Sequence, residues 1–387
     1  MNIIRIINSE KIPLIIAALI YVSTIGLVSP HILIFVMLLI CLAQKRLINK
    51  AINKDKTSFE ILLIIVFLSL FNEIIGVFAQ HVGDVGVIES IPYSVFIVLT
   101  ILAAKVTDER VMKWLVIITI IEICVAVAQR FLGSNSFYAV SEREIIDTDI
   151  LYDLKVNGLH NNSSGLGYNA FLLIILYEYF PVSRVVKRYW IYMFAIVGIV
   201  LSFNRTAMIG LLTFGILSSF KNKKLLLLYT IILVFVIHFG AVEFLVEQMT
   251  RGTSELSGNA LSGRDAVFPW YWGFFTTHLL EGNHSFKLYL TIDGLQFHAH
   301  NAYLQTLATN GLVISMLYFW IIFRKIDKLN YRFVIPILAC GLFQSFFLWG
   351  ASYNDFVLWG VLFGNIHETS NLQRNTSAHR QNLMLVR

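Results

Sequence analysis

The chain is expected to be an all-α polytopic membrane protein, with about 12 transmembrane helices and a large periplasmic loop carrying short helices. Three observations predict this. Of 387 residues, 57% are hydrophobic and 14% charged, with a mean hydropathy of +0.71, far from the soluble globular average. Long apolar runs recur along the chain. Lys and Arg gather in alternate connectors between those runs, the bias that marks cytoplasmic loops.

In order, the apolar runs cover about 12–29, 31–44, 59–80, 91–106, 112–132, 166–181, 189–203, 206–220, 225–243, 301–323, 333–349 and 353–366. Several are shorter than the ~20 residues of a spanning helix. The hairpin around Pro30 and the final run are the least distinct spans. Connectors with Lys45-Arg46, Arg184 with Lys187-Arg188, Lys221-Asn222-Lys223-Lys224 and Arg324-Lys325 define the inner face. All 30 basic residues lie on that side except Arg130, Arg143, Lys155, Arg205, Arg251, Arg264 and Lys287. Both termini are therefore expected in the cytoplasm, with the polar loops 133–165 and 244–299 facing outward.

The organisation that follows has residues 1–243 as the first nine helices and their outward loop at 133–165, then the large loop 244–299. Residues 300–366 supply the last three helices, and 367–387 a cytoplasmic tail. The first run lacks a small-x-small cleavage pattern and reads as a retained span. The net charge of +6 follows from the topology and suits anionic lipid headgroups. Nucleic acid is not an expected partner. Cys41, Cys124 and Cys340 all fall inside apolar runs, where they read as packing residues rather than disulfide partners.

Function is expected in the polar island 244–299, which holds Arg251, Arg264, Asp265, His278, Glu281, His284, Asp293 and His298. Outward Arg residues violate the charge bias, so each needs a local cause. Arg205 follows Asn204, which can cap the helix of the eighth run. Arg264 lies in Ser262-Gly263-Arg264-Asp265, a Ser-x-x-Asp capping pattern ahead of an apolar stretch interrupted by Pro269. A cation at a helix N-terminus opposes the dipole by about 0.3–1 kcal/mol. An anionic ligand reverses that sign, because helix N–H groups and a bidentate guanidinium together cradle phosphate. His300-Asn301 opens the tenth run, where the same dipole would keep a first-turn imidazole neutral and able to accept a proton.

Competing readings stay open at several positions. Arg205 also fits an interfacial side chain extending to headgroups, and Arg264 a solvated loop residue. Trp270 and Trp272, flanking Tyr271, suit either an interfacial aromatic belt or a sugar-stacking platform. His298-x-His300 lacks a third ligand at a metal-site spacing, and Asp147-Thr148-Asp149 is too short a pattern to assign metal, so no metal or other cofactor is expected. Glu73 and Glu122, inside apolar runs, fit interhelix polar contacts or a cavity lining.

Ser202-Phe203-Asn204-Arg205-Thr206-Ala207, Ser262-Gly263-Arg264, and His298-Ala299-His300-Asn301-Ala302-Tyr303-Leu304 followed by Gly311 together resemble the O-antigen ligase and Wzy polymerase superfamily, best over residues 150–325. Asn157-Gly158-Leu159-His160-Asn161-Asn162 is similar to a Gly- and Asn-containing stretch of that family. Ile314 stands where members often repeat a Gly, and Gly282-Asn283-His284 where they often have Gly-x-Gly. The resemblance implies glycan transfer from an undecaprenyl-pyrophosphate carrier at the periplasmic face of the bacterial inner membrane, without nucleotide donor or metal.

On this reading Arg205 and Arg264 would stabilise charge on the departing diphosphate. His300 would activate or orient the acceptor hydroxyl, while His298, Asn301, Trp270, Trp272 and Arg143 would bind substrate; Lys155 is a weaker candidate. Expected partners are lipid-linked glycans, membrane lipids and a chain-length regulator. An O-antigen polymerase is favoured over a ligase that transfers to lipid A core, on the associational ground of a short, divergent, Ile- and Asn-rich chain. A transporter or flippase would instead require repeats or broken midplane helices.

Overall fold

The computed structural model describes residues 2–22, 31–78, 93–134, 155–160, 163–220, 224, 227, 264–292, 295–344, 347–348 and 352–364. The ninth apolar run, Arg143, Asp147-Thr148-Asp149, Asn161-Asn162, Arg251, Ser262-Gly263 and the tail lie outside them, as does the side chain of Arg264. Within them the chain is mostly helical. The helices are α1 (Asn2–Val22), α2 (His31–Ala43), α3 (Lys45–Lys54), α4 (Lys56–Phe78), α5 (Tyr93–Val106), α6 (Glu109–Leu132), α7 (Ser163–Tyr179), α8 (Arg188–Ser202), α9 (Arg205–Ser219), α10 (Arg264–Thr277), α11 (Ala302–Lys325), α12 (Tyr331–Gly341) and α13 (Tyr353–Phe363).

Within the described residues the apolar runs are mostly helical, the eleventh only as far as Gly341, but the expected count of twelve spans is not supported. Three helices there are long and apolar enough to cross a membrane: α4, with 23 residues, and α6 and α11, with 24 each. α1 has 21 residues but carries Arg5, Glu10 and Lys11, and the other helices are too short by length alone. The 15 residues of α8 or α9 rise only about 22 Å at 1.5 Å per residue, against a hydrocarbon core of about 30 Å.

Two further expectations are corrected. The connector after the second run is not a loop but the helix α3, whose Lys45, Arg46, Lys50 and Lys54 are exposed while Ile48 and Ile52 pack on the core. Such a basic amphipathic helix suits an interface. The large loop carries more than short helices: Leu290–Ile292 (β1) and Leu295–Phe297 (β2) pair antiparallel, Leu290 opposite Phe297.

Local chemistry sets the helix ends. Asp108 accepts from the Arg110 N–H at the start of α6, and at its other end Gly133 adopts φ 65°. There the Ser134 N–H reaches the Gln129 carbonyl, the bond of a Schellman cap. Burial of Asp108 raises its carboxyl pKa, but the Arg110 guanidinium and N–H outweigh this and hold it below the ordinary value.

α7 is the centre of the bundle. Ala170 through Leu176 are fully buried, the all-round apolar surface of an interior helix, and α6, α8, α9 and α13 pack around it. The outer surface is apolar as well. On α4, Leu63, Phe67 and Val77 are each about 70% exposed, a contiguous face that water would not favour and lipid would.

Candidate functional site

Two helix starts meet beside residues 338–344, the last turn of α12 and the residues that follow it. α9 packs along α12, and at its start Asn204 accepts from the Ala207 N–H at 3.0 Å, the expected N-cap. Arg205 is therefore the first residue of α9, half-buried, and Thr206 accepts from the Cys340 thiol at 3.3 Å. Asn301 caps α11 in the same way, through the Leu304 N–H at 2.9 Å. Its amide also donates to the Leu342 carbonyl at 3.0 Å, and Tyr303 donates to that of Leu338 at 3.0 Å. Cys340 and Gln344 are joined by the Gln344 N–H to Cys340 carbonyl bond, one turn of about 6 Å. The starts of α9 and α11 thus share one short segment as a neighbour.

His300 occupies a different position from the one its spacing implies. Asn301 is the cap, so His300 precedes the helix rather than lying in its first turn, with φ 49°, in the left-handed region. Its orientation comes from side chains instead of the dipole. His300 Nδ1 is 3.0 Å from Gln344 Oε1, an acceptor only, so Nδ1 is the donor in this contact. The His300 backbone N–H donates to His298 Nδ1 at 3.2 Å, which leaves the His298 proton on Nε2. The two rings meet edge to face, with centroids 4.1 Å apart.

Gln305, which no motif singles out, shapes the approach to these histidines. It is buried on α11; its amide oxygen accepts from the Ala299 N–H at 2.8 Å, and its amide nitrogen donates to the Leu288 carbonyl at 2.9 Å. One side chain therefore ties both flanks of the β1–β2 hairpin to α11.

The aromatic run is divided between faces. Tyr271 is fully buried in a cluster with Val267, Phe275, Leu288, Ala299, Leu304 and Ala308. Its hydroxyl lies 2.7 Å from the Leu288 carbonyl and 3.0 Å from that of Phe297; burial raises its pKa beyond the usual phenol range. Trp270 stacks on Phe274, while Trp272 is 57% exposed. Neighbours two apart on a helix point to opposite sides, so the two indoles do not build one platform. α10, which begins at Arg264, packs against α11.

A second finding is the interruption of α11 at Gly311, where φ is 72° and ψ 178°. A helix broken inside a bundle must re-bond its freed backbone groups. Residues 279–285 do so: Asn283 N–H donates to the Ala308 carbonyl at 2.8 Å, Ser285 N–H to that of Thr309 at 2.9 Å, and Leu312 N–H to that of Leu279 at 2.8 Å. Only glycine fits, since a Cβ on Gly311 would stand 2.0 Å from the Leu280 carbonyl oxygen, and one on Gly282 2.4 Å from Gly311 N. Asn72 of α4 holds the same loop through the Glu281 carbonyl and Ser285 hydroxyl, at 2.8 and 3.3 Å.

Glu122, the other anomaly of the apolar runs, is fully buried and meets His160 Nε2 at 2.9 Å and Asn169 Nδ2 at 3.2 Å. Glu73 is also buried, at 7% exposure. Among the described residues no group of three His, Cys, Asp or Glu side chains is spaced to hold a metal ion. No known family model matches the chain, and no curated protein matches it.

Proposed function

We propose that the chain is a multi-pass inner-membrane glycosyltransferase of the O-antigen polymerase type, moving a growing glycan from undecaprenyl pyrophosphate onto a lipid-linked repeat unit at the periplasmic face. The observation that carries this reading is the common neighbour of Thr206, next to Asn204-Arg205, and of His300-Asn301: two motif-bearing helix starts, distant in sequence, both bonded to residues 340–344. A helix N-terminus beside a guanidinium favours diphosphate. On this reading Gln344 orients the ring through Nδ1, and a neutral His300 takes the proton of a sugar hydroxyl at Nε2.

In the reaction, the acceptor hydroxyl gives its proton to His300 Nε2 and its oxygen bonds to the anomeric carbon. The anomeric C–O bond breaks and its electron pair leaves on the diphosphate, where Arg205 and Arg264 offset the growing charge. Each such group acts mainly on the transition state. His298 and Asn301 hold the histidine loop in position, and sugar contacts are assigned to Trp270 and Trp272, on separate faces of α10, and to Arg143, which lies outside the described residues.

The break in α11 is the observation that favours a transporter, because half-helices line transport sites. Its backbone groups are already bonded to residues 279–285, so they are not open to an ion or solute. The test is transfer by purified protein from a defined undecaprenyl-pyrophosphate glycan, with each acceptor offered separately and a chelator present. Product on the lipid-linked repeat unit supports polymerase, and product on lipid A core alone means ligase. Ala at Arg264 or His300 is expected to lower the rate about 100-fold or more; unchanged transfer at normal protein levels removes the assignment.

A further inference from the structure

Glu122 stands in the middle of α6 with no exposed surface, where an unpaired carboxylate would be strongly disfavoured. Its pairing is built from three segments. His160 Nε2 lies 2.9 Å from one carboxylate oxygen, and Asn169 of α7 donates to the other at 3.2 Å. Two turns along α6, Gln129 clamps Gly158 from both sides, accepting from its N–H at 2.9 Å and donating to its carbonyl at 2.7 Å. Residues 158–160 are thus gripped by one face of α6.

These contacts continue toward Arg205. The His160 ring lies against Gly165 in the first turn of α7, so closely that a Cβ there would stand 2.6 Å from the ring. The preceding residue, Ser164, accepts from the Asn204 amide at 2.9 Å. Gly167, one turn on, is pressed on Asn204 as well, a Cβ there falling 2.3 Å from Asn204 Cβ. Val156 N–H bonds the Leu201 carbonyl at 3.0 Å, tying the same segment to the end of α8. Asn204, which sets the backbone of Arg205 as the cap of α9, is therefore held by a turn that Glu122 itself holds.

Resting on the reading of Arg205 as a diphosphate ligand, we propose that Glu122 is a positioning residue for Arg205, acting through His160 and Asn169. Removing the carboxylate takes one contact from each of two buried polar groups, His160 and Asn169, which also meet each other at 3.0 Å. The first turn of α7 then loses its reference to α6, and Asn204 loses its fixed seat. Proximity effects make catalysis sensitive to displacements of about 1 Å at such a group.

The experiment uses the purified full chain and a defined undecaprenyl-pyrophosphate glycan, comparing Glu122→Ala, Glu122→Gln, Asn169→Ala, Arg205→Ala and the double variant Glu122→Ala/Arg205→Ala. Backbone hydrogen exchange at residues 156–160 and 205–208 is measured on the same samples. Glu122→Ala is expected to lower kcat roughly tenfold or more with little change in KM, and Glu122→Gln to restore most of it. On the Arg205→Ala background it is expected to cost nothing further, the non-additivity of groups acting as one unit. Exchange should rise at both segments in Glu122→Ala. Multiplying rate losses, or unchanged exchange at 205–208, would overturn the proposal. Where Glu122→Ala fails to accumulate, Asn169→Ala supports the same comparison. Should Arg205→Ala transfer glycan like the parent, the functional reading fails, while exchange at 205–208 still decides whether Glu122 holds the start of α9.

Discussion

At the scale of single residues, the histidine pair shows how much chemistry rests on one unflagged amide. Gln344 accepts from His300 Nδ1, and that contact rather than a helix dipole orients the ring. Gln344→Leu is expected to release the ring and slow the proposed glycan transfer on the order of 10-fold, by analogy with partners that orient metal-bound imidazoles. In ¹⁵N-histidine-labelled protein the His300 signals should shift from the Nδ1–H to a mixed tautomer; an unchanged tautomer would remove Gln344 from the account. The cap Asn204 was legible in sequence, because an N-cap bonds a backbone N–H three residues on, whereas the reading of His300 as a first-turn residue passed over Asn301 as the cap. Gln344 was not legible, because its partner is 44 residues away and no local pattern marks it.

At the scale of elements, the break in α11 depends on glycine for two reasons, its left-handed φ and the approach of the Leu280 carbonyl. Gly311→Ala is expected to destabilise the protein by at least about 1–2 kcal/mol from the backbone term alone, read as a lower melting temperature in detergent; an unchanged value would mean the break tolerates a side chain. The position of Gly311 after His300-Asn301 was visible in sequence, whereas the inserted loop 279–285 was not, since freed carbonyls are bonded by whatever segment the fold brings there. The cap of α6 carries a pH dependence. Because the folded Asp108 carboxyl titrates below its unfolded value, its contribution is present above about pH 3.9 and lost as pH falls through the folded value. Asp108→Ala is expected to lower stability by roughly 0.5–2 kcal/mol near neutral pH, with the difference from the parent narrowing on acidification. A difference that persists at low pH would deny the carboxylate that role.

For the whole molecule, the open quantity is how many of the short helices cross the bilayer. α4, α6 and α11 are long enough by themselves; α8 and α9 are not, and reach both surfaces only if the bilayer thins or their ends extend beyond regular helix. Single cysteines on a background lacking Cys41, Cys124 and Cys340 measure this directly. Positions 50, 184 and 325 are expected to label only from the cytoplasm, and 155, 205 and 287 only from outside. Labelling of 184 and 205 from the same side would mean α8 does not cross, and the proposed periplasmic site would lose Arg205.

What the sequence by itself determined is where helices form and which ends are polar, basic or capped, because helix bonding, capping and apolar burial depend on residues within a turn or on composition. It also marked the anomalies: outward Arg205 and Arg264, His300-Asn301, Gly311, and carboxylates inside apolar runs. Only the tertiary structure decided what those anomalies touch. Residues 340–344 join the starts of α9 and α11, and Glu122 finds His160 and Asn169. Those pairings come from packing between segments far apart in the chain, whose free energy is shared over many contacts and leaves no periodic trace in the order of residues.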